Sequence, residues 1–116
     1  MEKRIYERIS LPVKLTYEVK NRPRIVEESV SKNISGSGIC LPLREKLPVN
    51  TELIIRIEVG KDGDGVTLNG RIVWNRRVDI NGGVGPLVFY DTGIELINPD
   101  PININRVITC YYGKPF

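Results

Sequence analysis

Two clusters in this 116-residue chain carry residue types and spacings that could do chemistry. The first is Arg4-Ile5-Tyr6-Glu7-Arg8, with two guanidinium groups set four positions apart. Arginine presents a planar fork of donors suited to phosphate oxygens and to guanine edges. The second is Asn33-Ile34-Ser35-Gly36-Ser37-Gly38, in which compact amide and hydroxyl side chains alternate with glycine. Taken singly, each has a plainer reading: an RxxxR spacing often arises by chance, and Asn, Ser and Gly gather in ordinary turns. Residues 1–24 hold seven basic groups against three acidic, whereas the rest of the chain holds ten against eleven. An anionic partner engaging the N-terminal segment is one reading of that imbalance; surface charge that aids solubility is the other.

The residues that are missing narrow the chemistry. Histidine, the commonest general base and metal ligand, is absent. Cys40 and Cys110 lie far apart in no metal-like spacing and read as two buried thiols rather than a disulfide. A site made from Arg, Lys, carboxylates, hydroxyls and backbone suits binding better than catalysis, so no enzyme, metal or cofactor is expected. Asp62-Gly63-Asp64-Gly65 opens like a calcium loop but lacks the later ligands and closing Glu, and reads as a hairpin turn. Gly82-Gly83-Val84-Gly85 is not a phosphate-cradling GxGxxG. Arg76 and Arg77 follow Trp74 at a strand end and could extend the basic surface toward a ligand, with ordinary solvated charge the favoured reading; Trp74 reads as a core or rim residue rather than a stacking platform. No apolar run approaches the ~20 residues of a membrane span and no signal-peptide core opens the chain, so a cytoplasmic protein without membrane insertion is expected.

The elements that must position these clusters are mostly strands. The chain has 15 Ile, 12 Val and no alanine, a composition that disfavours a helical bundle and favours pleated structure. Leu11, Val13, Leu15, Tyr17 and Val19 alternate with polar residues at strand period. Asn21–Pro23 turns the chain, and a second strand is predicted over Arg24 to Ser31. After the Asn33–Gly38 cluster, Ile39-Cys40-Leu41 re-enters a strand. Leu53, Ile55, Ile57 and Val59 alternate into the Asp-Gly turn, and Val66, Leu68, Gly70, Ile72 and Trp74 form the return strand. Asn81–Gly85 is a second turn, leading to a bent strand or a strand pair over Leu87 to Leu96. A hairpin series without βαβ units predicts an antiparallel barrel or sandwich. At the end, Asp100 and Pro101 start a helix whose apolar stripe is Ile104, Val107, Ile108 and Tyr111, with Gly113 closing it.

Together, in this order and on this pattern, the two clusters resemble the PilZ domain family. Gly70-Arg71-Ile72-Val73-Trp74 is similar to that family's Gly/Ala-Arg-Val-Val-Trp strand. Thr92-Gly93-Ile94-Glu95-Leu96 is similar to its Gly-Ile-x-Phe strand, with Leu96 in place of the aromatic. The resemblance runs from Arg4 to about Tyr111. It implies a mostly β fold: a six-stranded antiparallel, Greek-key-like barrel with a short C-terminal helix. The expected division is a single domain over 1–116, with a basic arm at 1–9, the barrel at 10–97 and the helix at 100–112.

The resemblance also implies a bacterial receptor for cyclic di-GMP, which the family binds through RxxxR and [D/N]xSxxG. Arg4 and Arg8 match the first pattern; Asn33, Ser35 and Gly38 match the second. The ligand offers two phosphates and two guanines, which cationic forks and compact donors can grip. An arm near the terminus is expected to be mobile when free and to order on binding, passing the signal to a partner protein. A PilZ-fold interaction module independent of the ligand is the alternative. A single-stranded nucleic-acid binder would need more than the chain's eight aromatics, so no DNA or RNA partner is expected.

Overall fold

The structure, a computed structural model, describes residues 12–22, 26–59, 64–83 and 85–112. Seven strands and one helix follow in chain order. They are β1 (Lys14–Val19), β2 (Val26–Val30), β3 (Asn33–Ile34), β4 (Gly38–Leu43), β5 (Glu52–Glu58), β6 (Gly65–Gly82), β7 (Gly85–Leu96) and α1 (Pro101–Tyr112). The hydrogen-bonded order is β2-β1-β5-β6-β7-β4-β3, and each pairing is antiparallel. Side chains on a strand alternate between faces, so the period-two apolar residues all reach one side. Leu15 and Tyr17 of β1, Leu53, Ile55 and Ile57 of β5, and Val66, Leu68 and Ile72 of β6 are buried together.

The six-stranded closed barrel expected from the resemblance is not what forms. There are seven strands in a sheet whose ladder does not close: β2 and β3 are its two edges. The extra strand arises because Ser31 and Lys32 leave the β2 line. The Ser31 amide bonds to the Val13 carbonyl at 3.0 Å, and the Lys32 amide bonds to the Cys40 carbonyl at 2.9 Å. Those two residues carry the chain from one edge to the other. The Ser29 hydroxyl of β2 donates to the Pro42 carbonyl of β4 at 3.0 Å, which brings β2 against the part of β4 beyond short β3 without a ladder.

The helix covers the core as its pattern requires. Asp100 Oδ1 accepts from the Ile102 amide at 2.9 Å, satisfying an otherwise orphaned donor of the first turn. Ile104, Val107 and Ile108 are buried, and the Tyr111 hydroxyl donates to the Glu58 carbonyl at 2.9 Å, tying the last turn to β5. Gly113 lies outside the described residues. The cysteine reading needs correction: neither residue is in a disulfide and Cys40 is buried, but Cys110 is exposed. Cys110 falls off the helix's apolar stripe. Among the described residues no helix is long and apolar enough to cross a membrane.

One irregularity redirects side chains on the long hairpin. The β6–β7 register shifts between Ile72 and Trp74, with Val73 as the extra residue. Such a bulge exchanges the faces of every residue beyond it. Ile72 is fully buried, whereas Val73 and Trp74 are both 42% exposed.

Candidate ligand site

Residues directly opposite each other on antiparallel strands point to the same face. Three rows can therefore be read across β4, β7 and β6 on the side away from the core. They are Gly38–Glu95–Arg71, Cys40–Gly93–Trp74 and Pro42–Asp91–Arg76. Asn33 pairs with Cys40 and extends the middle row. The face thus holds the second motif at one corner and the tryptophan strand at the other.

The motif turn is held largely by itself. Ser35 is buried, and its hydroxyl oxygen accepts from the Gly38 amide at 3.1 Å and the Ser37 amide at 3.3 Å. The Ser35 amide in turn donates to the Gly38 carbonyl at 2.9 Å. This is the pattern that lets serine shape a turn through its own backbone neighbours. Gly38 is needed because β4 approaches β7 closely there: a Cβ would lie 2.9 Å from the Ile94 carbonyl oxygen. Asn33 is half-buried and leads the row. Of the three motif residues, then, Ser35 and Gly38 build the turn and Asn33 presents a side chain.

A second cluster lies on the same face, of which sequence reasoning weighed Arg76 but missed Asp91 and Lys32. Asp91 is 2% exposed, and its Oδ2 accepts from Lys32 Nζ at 2.9 Å and from Arg76 Nη2 at 3.1 Å. Its other oxygen, Oδ1, is buried with no partner among the described residues. Burial alone would raise the Asp91 carboxyl; the hydrogen bonds and charges of Lys32 and Arg76 override it and hold it below the usual carboxylate value. Both cations remain half or more exposed, so their heads stay available to an anion. Arg76 therefore departs from the plain solvated charge expected of it, while Arg77 pairs with Asp79 on the opposite face. The only sequence signal was a basic residue beside each recognised motif.

Trp74 stands between the two clusters. A Cβ on Gly93 would run into its indole Nε1 and Cε2, so the ring lies across the bare backbone of β7. The indole is outward and 42% exposed, which the bulge rather than the strand period determines.

Arg4 and Arg8 lie outside the described residues. The place where their segment joins the fold is described. The Val13 amide donates to the Ser31 hydroxyl at 3.0 Å, and the Ser31 amide returns a bond to the Val13 carbonyl. Val13 is thus fixed one residue from Lys32 and two from Asn33 along the neighbouring strand. Five residues of extended chain span at most ~18 Å, which bounds the distance of Arg8 from Val13.

The chain is thus an antiparallel sheet with a C-terminal helix docked on its core, carrying an NxSxxG turn on its outer face. The PilZ domain model matches residues 2–113, and the chain belongs to that family. Among solved structures it is similar to the PilZ domain with c-di-GMP of YcgR from Escherichia coli. That match has 13% identity and a TM-score of 0.70, covering 97% of this chain and 91% of that one. It is similar too to the PilZ domain of CeSA from a cellulose-synthesizing bacterium, at 20% identity and a TM-score of 0.57, covering 92% and 96%. A third is the Bacillus subtilis inhibitor of motility (MotI/DgrA), at 15% identity and a TM-score of 0.60; the match covers 94% of this chain and 49% of that protein. None of the curated proteins matches by sequence.

Proposed function

We propose that this domain is a bacterial cytoplasmic receptor for cyclic di-GMP, without catalytic activity of its own. Arg4 and Arg8 grip the ligand from the N-terminal arm, and the outer face of β4, β7 and β6 receives it. On that face Asn33 contacts the ligand directly, Ser35 and Gly38 hold the turn that presents Asn33, and the Trp74 indole offers a surface for a guanine. Lys32 and Arg76, held in place by Asp91, supply positive charge for phosphate. The arm closing over the ligand is the signal, read by a partner protein.

The observation that carries this reading is the Val13–Ser31 tether, which roots the arginine arm beside Asn33 and Lys32. Calorimetric titration with cyclic di-GMP, against GTP and cyclic GMP, is the direct test. Binding specific to the cyclic dinucleotide is expected; no heat at roughly ten times a micromolar Kd sinks the proposal. Charge-assisted hydrogen bonds contribute about 1.5–3 kcal/mol each, so Arg4→Ala and Arg8→Ala should each weaken binding tenfold or more. An unchanged affinity in both variants refutes the arm assignment.

A further inference from the structure

We infer that the far end of the β6–β7 hairpin is a self-association edge, pairing β6 with β6 of a second copy of this chain about a two-fold axis at Val78. The inference does not rest on the proposed ligand, although the pairing sets Arg76 of the ligand face across from Ile80 of the second copy. β5 pairs with β6 only as far as Arg71; the Ile72 bonds to Thr51 and Asn50 are the last backbone bonds on that side among the described residues, and beyond them the Asn75 side-chain amide donates to the Leu47 carbonyl at 2.8 Å. β4 pairs with β7 only as far as Tyr90. From Val73 to Gly82, and back from Gly85 to Phe89, the hairpin is therefore a two-stranded ribbon extending beyond the sheet. Ribbons of two strands are marginal in water on their own.

Beyond Arg76, which shares this face, the tip of the ribbon is also apolar on one side. Val78 pairs with Phe89 and Ile80 with Leu87, all four on the same face, and Ile80 and Leu87 are 45% and 55% exposed. Of the two edges, β7 carries Pro86, which removes a backbone donor. The β6 edge from Val73 to Gly82 carries no proline or lysine; its protections are the bulge at Val73 and the charges of Arg76, Arg77 and Asp79, and past Asp79 it has none.

Charge identifies the occupant. Arg77 and Asp79 flank Val78 on the opposite face, and within one chain Arg77 Nε donates to Asp79 Oδ1 at 3.0 Å. An antiparallel β6 pair centred on Val78 sets each Arg77 directly across from Asp79 of the other copy. Both crossings are favourable, and the apolar faces of the two ribbons merge beneath them. A pattern complementary to its own reverse fits a second copy better than an unrelated strand.

Sedimentation velocity on the full chain from about 5 µM to about 500 µM should show a reversible monomer–dimer equilibrium. Arg77→Asp or Asp79→Arg alone sets like charges opposite each other twice and should weaken the dimer about tenfold or more. Mixed one to one, the two variants should form a heterodimer, and the double reversal R77D/D79R should restore the homodimer. Both side chains are about 60% exposed on the ribbon, so unchanged circular dichroism is the accompanying control. A wild-type chain that is monomeric throughout overturns the inference, as does a dimer indifferent to both reversals. Dimerisation appearing only after removal of residues 1–11 also overturns it, because the chain's own arm would then be covering the edge.

Discussion

The two halves of the outer face treat their polar groups in opposite ways. In the Asn33–Gly38 turn, the Ser35 hydroxyl and the neighbouring amides bond one another. Across β7, one buried carboxylate holds two largely exposed cations and leaves its other oxygen without a partner among the described residues. A saturated turn fixes geometry. An under-satisfied cluster costs stability and persists where charge has to be presented. A sequence motif can thus be most visible where it builds the frame, while charges available to a ligand sit at positions the motif does not name.

The contrast is put under the greatest stress at the turn. Ser35→Ala removes the acceptor of two amides in a part-buried site, which costs about 1–3 kcal/mol. Gly38→Val forces a Cβ onto the Ile94 carbonyl, where β4 must move away from β7, at a similar or larger cost of about 1–3 kcal/mol. Both should lower the unfolding midpoint measured by urea titration. If either variant is as stable as the parent yet fails to bind cyclic di-GMP, the residue is a contact rather than a frame element.

Much of this was legible because it is periodic. Leu53, Ile55 and Ile57 face Val66 and Leu68 as their alternation demands, and Asp100-Pro101 starts a helix whose stripe is buried. What failed was non-local. Extending the alternation Val66, Leu68, Gly70, Ile72 to Trp74 sends the indole inward; one extra residue at Val73 turns it out. Nothing near Lys32 or Arg76 in the chain announces Asp91, because the three meet only through sheet register. The seam between β2 and β4 depends likewise on which strands share a ladder, and local pattern does not contain that.

Trp74 tests whether the exposed half of the face is where a base docks. It is the chain's one tryptophan, so its fluorescence reports this position alone. Stacking of a base on an aromatic contributes about 1–3 kcal/mol, and Trp74→Ala should weaken cyclic di-GMP binding about tenfold. Because the ring is 42% exposed, the unfolding midpoint should move much less than for Ser35→Ala. Fluorescence that does not change on saturation with ligand removes Trp74 from the site.

The smallest effect on stability and the finest distinction come from Asp91→Asn. The amide keeps the shape and an oxygen for Lys32 and Arg76 but removes the charge. The carboxylate is buried, but both of its cationic partners are half or more exposed and keep an oxygen acceptor, so stability at neutral pH should stay within about 1 kcal/mol of the parent. Acid separates the two proteins. The folded carboxyl sits below its ordinary value, so the native state binds fewer protons than the unfolded chain in that range. The stabilisation from Asp91 is therefore complete above the unfolded value of about 3.9 and is lost as pH falls through the lower folded one. Urea midpoints followed downward from pH 5 should fall more steeply for the parent than for Asp91→Asn. Parallel curves would mean that Lys32 and Arg76 do not hold Asp91 ionised, and that the cluster presents its cations by some means other than that carboxylate.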